Sequence, residues 1–168
     1  MFSSFESEAF RLETLPQYKV AEENDELQRF LSGELFPTHA NHREWLNALE
    51  SWTSAGKKII RVRVLPKIKM PYLRFEIEWA YLYNVKCGEE IFFLEEEDYH
   101  RLFDVPLYDW WMFDQKTTVK MIYGTEGDFH GGEYIPDIDL RYREVRDSVL
   151  SIAIPLKEYL RREREKTF

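Results

Sequence analysis

Between Lys57 and Leu65 the chain alternates in twos: Ile60, Val62 and Val64 fall on one side of an extended backbone, Arg61 and Arg63 on the other. A helix would scatter these residues around its axis. The run therefore commits the chain to a sheet with one apolar face and one face that carries charge, and Pro66 ends the strand. A second copy of the pattern stands near the start. Phe10 and Leu12 share one face there, Arg11 and Glu13 the other, and Pro16 closes the segment. If the two strands are neighbours, Arg11, Glu13, Arg61 and Arg63 meet on one sheet face. That face is either a solvated surface with cross-strand charge pairs or the floor of a groove for an anionic ligand or an acidic peptide.

The remaining segments surround this sheet with helices. Tyr18 to Val20 reads as a short strand. Asn24 can cap a helix that carries Leu27, Phe30 and Leu31 and stops at Gly33. Asn41 with Glu44 resembles a capping box for a helix that buries Trp45, Leu49 and Trp52 and ends at Gly56. Pro71 opens a helix from about Tyr72 to Val85, with Gly88 after it. Glu90 to Leu94 is a strand, and Glu95 to Phe103 holds one or two helical turns. Tyr108 to Asp114 and Thr117 to Tyr123 form a hairpin across Gln115-Lys116, a poor turn because neither residue favours φ > 0. Gly124 to Pro136, with four glycines, reads as a loop. Asp137 caps a long helix with Tyr142, Val145, Val149 and Ile152 inward, which Pro155 kinks or restarts. The order predicts an α+β fold: a mixed or antiparallel sheet of about five or six strands with helices packed on it, in a single domain over residues 1–168.

Glu76 stands out on the helix after Pro71. At 100° per residue it shares a face with Tyr72, Phe75, Trp79 and Tyr83, while Arg74, Glu78 and Tyr81 point away. A carboxylate among four rings is desolvated, so it must be paired, hydrogen-bonded or protonated. Arg61, Arg63 or tyrosine hydroxyls are the expected partners. It serves either as half of an ion pair fixing the helix on the sheet or as a ligand-orienting carboxylate. In Asp109-Trp110-Trp111-Met112-Phe113-Asp114 the two aspartates fall on opposite faces of a strand, so they make a poor catalytic pair. Trp111 and Phe113 read as core, and Asp114 starts the turn.

Composition narrows the function classes. The formal net charge of −8 argues against direct binding to duplex DNA, which requires a basic face. Cys87, the one cysteine, rules out an intramolecular disulfide and suits a reducing compartment. Met1 to Glu8 lacks a basic start and an apolar stretch, and no apolar run is long enough to span a membrane, so the expected location is cytoplasmic. His39 and His42 do not share a helical face. Asp128, His130, Glu133, Asp137 and Asp139 crowd a glycine-rich stretch without the spacing of a known site, so neither a metal nor a cofactor is expected. The phosphate-loop patterns GxGxxG and GxxxxGK-S/T are missing, as are GxSxG and HExxH.

Phe10-Arg11-Leu12-Glu13, Arg61-Val62-Arg63-Val64, Tyr72-Leu73-Arg74-Phe75-Glu76, Asn84 to Glu89, Trp111-Met112-Phe113-Asp114, Arg146-Asp147 and Pro155 to Leu160 form an ordered set over nearly the whole chain. As a set they resemble an actinobacterial domain family of unknown function whose members typically lie near helix-turn-helix regulators. The resemblance implies no activity and no catalytic residues; the neighbourhood implies a regulatory or interaction role with a protein partner. The leading expectation is thus a cytosolic interaction or regulatory module. The alternative is a small enzyme or binding domain for an anionic ligand such as a nucleotide, using an Arg/Glu-lined pocket of Arg11, Glu13, Arg61, Arg63 and Glu76.

Overall fold

The computed structural model describes residues 5–37, 43–102, 108–135 and 140–166. Its centre is one open, mixed sheet of seven strands: β1 (Glu8–Glu13), β2 (Lys58–Leu65), β3 (Glu90–Glu95), β4 (Trp110–Phe113), β5 (Thr117–Tyr123), β6 (Phe129–Ile135) and β7 (Ile154–Pro155). They lie in the order β6-β5-β4-β1-β2-β3-β7. β1, β2 and β3 are parallel; every other pairing is antiparallel. Among the described residues six helices accompany them: α1 (Asn24–Leu31), α2 (Arg43–Ser54), α3, α4 (Glu96–Leu102), α5 (Leu140–Ile152) and α6 (Leu156–Lys166). α3 runs without a break through Pro71–Phe75, a π-helical turn at Glu76–Ala80, and Tyr81–Lys86.

Both faces of the sheet are covered. Phe10, Leu12, Ile60, Val62 and Val64 pack with Tyr99 of α4 and with Val145 and Val149 of α5. On the opposite face Leu49 of α2 joins Ala9, Ile59 and Trp111, while Leu73, Ile77 and Tyr81 of α3 join Ile91 and Phe93. Between these two apolar clusters lie the charged residues of β1 and β2. Arg11 is paired in register with Arg61, and Glu13 with Arg63, so all four side chains share that face as the alternation requires. The face is not solvated: Glu13, Arg61 and Arg63 are buried, Arg63 completely.

Several expectations need correction. The sheet has seven strands rather than five or six. Phe129–Ile135, expected as loop, is an edge strand. Its glycines hid it, and an edge strand with exposed faces shows no hydrophobic period. β7 consists of two residues that Pro155 places on the opposite edge, where a missing N–H costs nothing. Tyr18 to Val20 is not a strand, although Lys19 N donates to Gly127 O at 3.0 Å. Asn24 is the first residue of α1 rather than its cap, because a 3₁₀ turn at Ala21–Glu23 precedes it. The hairpin turn lies one residue earlier than expected: Asp114 and Gln115 both adopt φ near +50°, and Lys116 N returns to Phe113 O. Aspartate tolerates that conformation better than lysine does. Ile152 is exposed rather than inward. The proposed caps Asn41 and Asp137, and His39, His42 and Asp139, lie outside the described residues.

Candidate functional site

The π turn decides what α3 presents to the sheet. Winding i→i+5 inserts an extra residue, which rotates everything downstream by about 100° relative to an α-helix. Glu76 lies before the shift and faces inward as expected, at 4% exposure. Tyr81 lies after it and is buried on the sheet, whereas Tyr83 is only partly buried. The sequence expectation for these two tyrosines is thereby reversed.

Under α3 the charges of β1 and β2 form one connected network. Glu13 is its hub. Its Oε1 lies 3.0 Å from Arg11 Nε, an ion pair not aligned as a hydrogen bond, and accepts from Arg61 Nη1, and its Oε2 accepts from the Tyr81 hydroxyl at 2.9 Å. Arg61 Nε donates to Glu89 Oε1 at 2.7 Å, and Glu89 Oε2 accepts from Asn84 Nδ2 at 2.7 Å. Arg11 Nη2 donates to the Tyr123 hydroxyl at 3.0 Å and reaches Asp109 Oδ2 at 3.4 Å. Asp109 also takes the Thr14 backbone N–H and hydroxyl and the Tyr18 hydroxyl, the last at 2.5 Å. Arg63 Nη1 donates to Tyr18 from the other side.

Glu76 is the exception. Its Oε2 lies 3.2 Å from Arg63 Nη2, yet the two are not aligned as a hydrogen bond, and both atoms are buried without a hydrogen-bond partner among the described residues. The electrostatics follow this difference. Burial disfavours the Glu13 charge, but the guanidinium groups of Arg11, Arg61 and Arg63 outweigh it and hold the carboxyl well below the usual carboxylate range. At Glu76 burial wins over the attraction of Arg63, and the carboxyl is pushed up to about 8. Glu23, whose Oε2 accepts from the Tyr72 hydroxyl at 2.6 Å, is also raised by burial, partly offset by that bond.

Above the network opens a cleft of about 640 Å³. Arg11, Glu13, Arg61 and Glu76 line it; Arg63 does not, being sealed beneath Tyr18. Tyrosines 18, 72, 81 and 123, with Trp45, Trp111 and Phe129, supply its walls, and Val20 lies at its edge with 38% exposure. The Arg11 guanidinium stacks over the rings of Tyr18 and Trp111, 5.7 and 5.2 Å from their centroids.

Of the five residues singled out in the sequence, four thus converge on the cleft and the fifth braces it. Sequence reasoning missed Asp109, Glu89, Asn84 and Tyr18. Asp109 meets Thr14 and Tyr18 from more than ninety positions away, and no local periodicity encodes such a meeting. An aspartate beside two tryptophans was the available signal, since a carboxylate in apolar surroundings requires donors.

Among the described residues no group of His, Cys, Asp and Glu is arranged to hold a metal ion, and no helix is long and apolar enough to cross a membrane. The model of a protein family described as a domain of unknown function, DUF6879, matches residues 1–161. No curated protein matches the chain.

Proposed function

The chain belongs to the DUF6879 family, and from the geometry of its cleft we propose that the protein is a small-molecule-binding domain. The observation that carries this reading is the cleft itself. Its volume falls within the range of small-ligand pockets, and it joins aromatic walls to a few fixed polar groups contributed by separate elements. Tertiary bonds lock the floor side chains before any ligand arrives, which limits the entropy lost on binding. Buried polar atoms without partners, Glu76 Oε2 and Asn84 Oδ1, sit in residues that border the same space. Among the described lining residues there is no Ser, Thr, Cys or His.

The reading extends to a regulatory role in the cytoplasm. Occupancy would be read by a protein partner, and a neighbouring helix-turn-helix regulator, as the actinobacterial resemblance implies, is one form of partner. An anionic ligand such as a nucleotide, held by Arg11 and Arg61, is one version of the ligand.

The test is a thermal-shift screen of nucleotides, nucleosides, amines, amino acids and simple acids, run beside native mass spectrometry of protein from its own host. A ligand present at a hundred times its dissociation constant should stabilise the fold by about 2.7 kcal/mol. Val20→Trp places a large ring at the cleft edge, on a side chain exposed enough to accept it, and should abolish the shift. Equal shifts in wild type and Val20→Trp would place binding elsewhere and defeat the reading.

A further inference from the structure

Inside the cleft and its floor, carboxyl groups outnumber guanidinium groups. Arg11, Arg61 and Arg63 face Glu13, Glu23, Glu76, Glu89 and Asp109. At the cleft's outer residues Lys19 and Arg43 are matched by Glu22 and Glu44. Glu13, Glu89 and Asp109 bond directly to Arg11 and Arg61, three carboxylates to two guanidinium groups, while the carboxylate beside Arg63 is Glu76, 3.2 Å away and not aligned as a hydrogen bond. Glu23, bonded to the Tyr72 hydroxyl, makes no ion pair among the described residues, so carboxyl groups exceed guanidinium groups by two even with Glu76 opposite Arg63. Glu76 is 4% exposed and borders the cleft, and its Oε2 has no hydrogen-bond partner among the described residues.

We propose that the ligand carries a cationic nitrogen, a protonated amine, which docks between Glu76 and Glu23 against the tyrosine walls. The inference rests on the small-molecule reading above and reverses the sign of charge that three arginines alone would suggest. Each arginine already faces a carboxyl, Arg63 that of Glu76, so an anion entering the cleft would meet only the carboxyl excess. A cation meets two carboxyls and the negative faces of aromatic rings. The groups facing Glu76 are Arg61 and Arg63 from β2, which oppose a cation, Glu13 from β1 and Glu23 from the 3₁₀ turn, which favour one, and Tyr72 and Tyr81 from α3. Burial holds the Glu76 proton in the empty cleft, and an arriving ammonium releases it, so affinity rises with pH.

Three probes that share one ring and differ in headgroup test the sign: benzylammonium, benzyl alcohol and benzoate, measured by isothermal titration with the full chain. Benzylammonium should bind at least about tenfold more tightly than the other two. Its affinity should rise about tenfold between pH 6 and pH 8.5. In Glu76→Gln, a near-isosteric change whose fold is checked by circular dichroism, both differences should vanish. Glu23→Gln, on a more exposed residue, should weaken benzylammonium alone. Tighter binding of benzoate, or of inorganic phosphate, overturns the cation; if Val20→Trp also abolishes it, the cleft survives as a binding site with the opposite preference. No binding by any of these probes overturns the cation as well, while the co-purification and Val20→Trp experiments still decide the cleft.

Discussion

Glu13 gathers two donors, from Arg61 and Tyr81, and an ion pair with Arg11 at a point the solvent scarcely reaches. Such a hub stands only while every partner is present, because each removal leaves a buried charge uncompensated. Arg61→Met should therefore cost about 3–5 kcal/mol, since it strands both Glu13 and Glu89; urea unfolding measures it, and a loss below 1 kcal/mol would show the network to be dispensable. Glu76 obeys the opposite rule. Burial raises its carboxyl from 4.5 to about 8, so the fold favours the neutral form. Its stabilising contribution is complete below about pH 4.5, declines as the pH rises, and is gone above about 8. Glu76→Gln removes that titration. From pH 5 to pH 8.5 the wild type should lose ground steadily to the variant in urea midpoint, and parallel profiles would refute the assignment.

At the level of elements, Asp114 ties two parts of the chain together. It occupies a positive-φ turn position, and its carboxylate accepts the backbone N–H groups of Glu6, Ser7 and Glu8 at 2.7, 2.7 and 3.0 Å. Those bonds outweigh the desolvation of the group and hold its carboxyl well below the usual carboxylate range, so the contribution is present at neutral pH and lost only in strong acid. Asp114→Ala should cost about 1–2 kcal/mol in thermal or urea unfolding, and Asp114→Asn clearly less, because asparagine keeps the turn geometry. What was legible in the sequence follows one rule. β1, β2, α2 and the start of α3 have a clear period or a clear stop, and they appear where the period puts them. Their pairing was posed as a condition, since alternation sets which faces match but not which strand is the neighbour or in which direction it runs; the structure meets the condition with a parallel register. The π turn was not legible, since it appears as an ordinary helical stretch until the sheet selects Tyr81 over Tyr83. β6 was masked by Gly131 and Gly132. At the site, Arg11, Glu13, Arg61 and Glu76 were found through pattern, while Asp109 and Glu89 join only through contacts across the fold.

The molecule as a whole is layered from a protected centre to exposed edges. β1 and β2 have neighbours on both sides and helices on both faces, whereas β6 ends the sheet with largely exposed side chains and β7 ends it with two residues. Native-state hydrogen exchange should rank accordingly: slowest at Phe10, Leu12, Val62 and Val64, fastest in β6. Uniform protection across the sheet would contradict this order. The cleft lies above the slowest-exchanging strands, so its floor should hold its geometry even as the edges open.

The position of β1 has a consequence for how the chain assembles. It precedes the other strands in synthesis, yet its partners are β2 and β4: Glu8 must find Lys58, and Ala9 must find Phe113. Until β4 has left the ribosome, one margin of β1 stays open, and Asp109 is not there to receive Thr14, Tyr18 and Arg11. The charged cluster must remain hydrated through all that time, and it can be dehydrated only in a late, concerted step. Contacts so distant in sequence slow folding. A nascent chain stalled before Trp110 should therefore be digested readily by protease, and one stalled well beyond Tyr123 should resist.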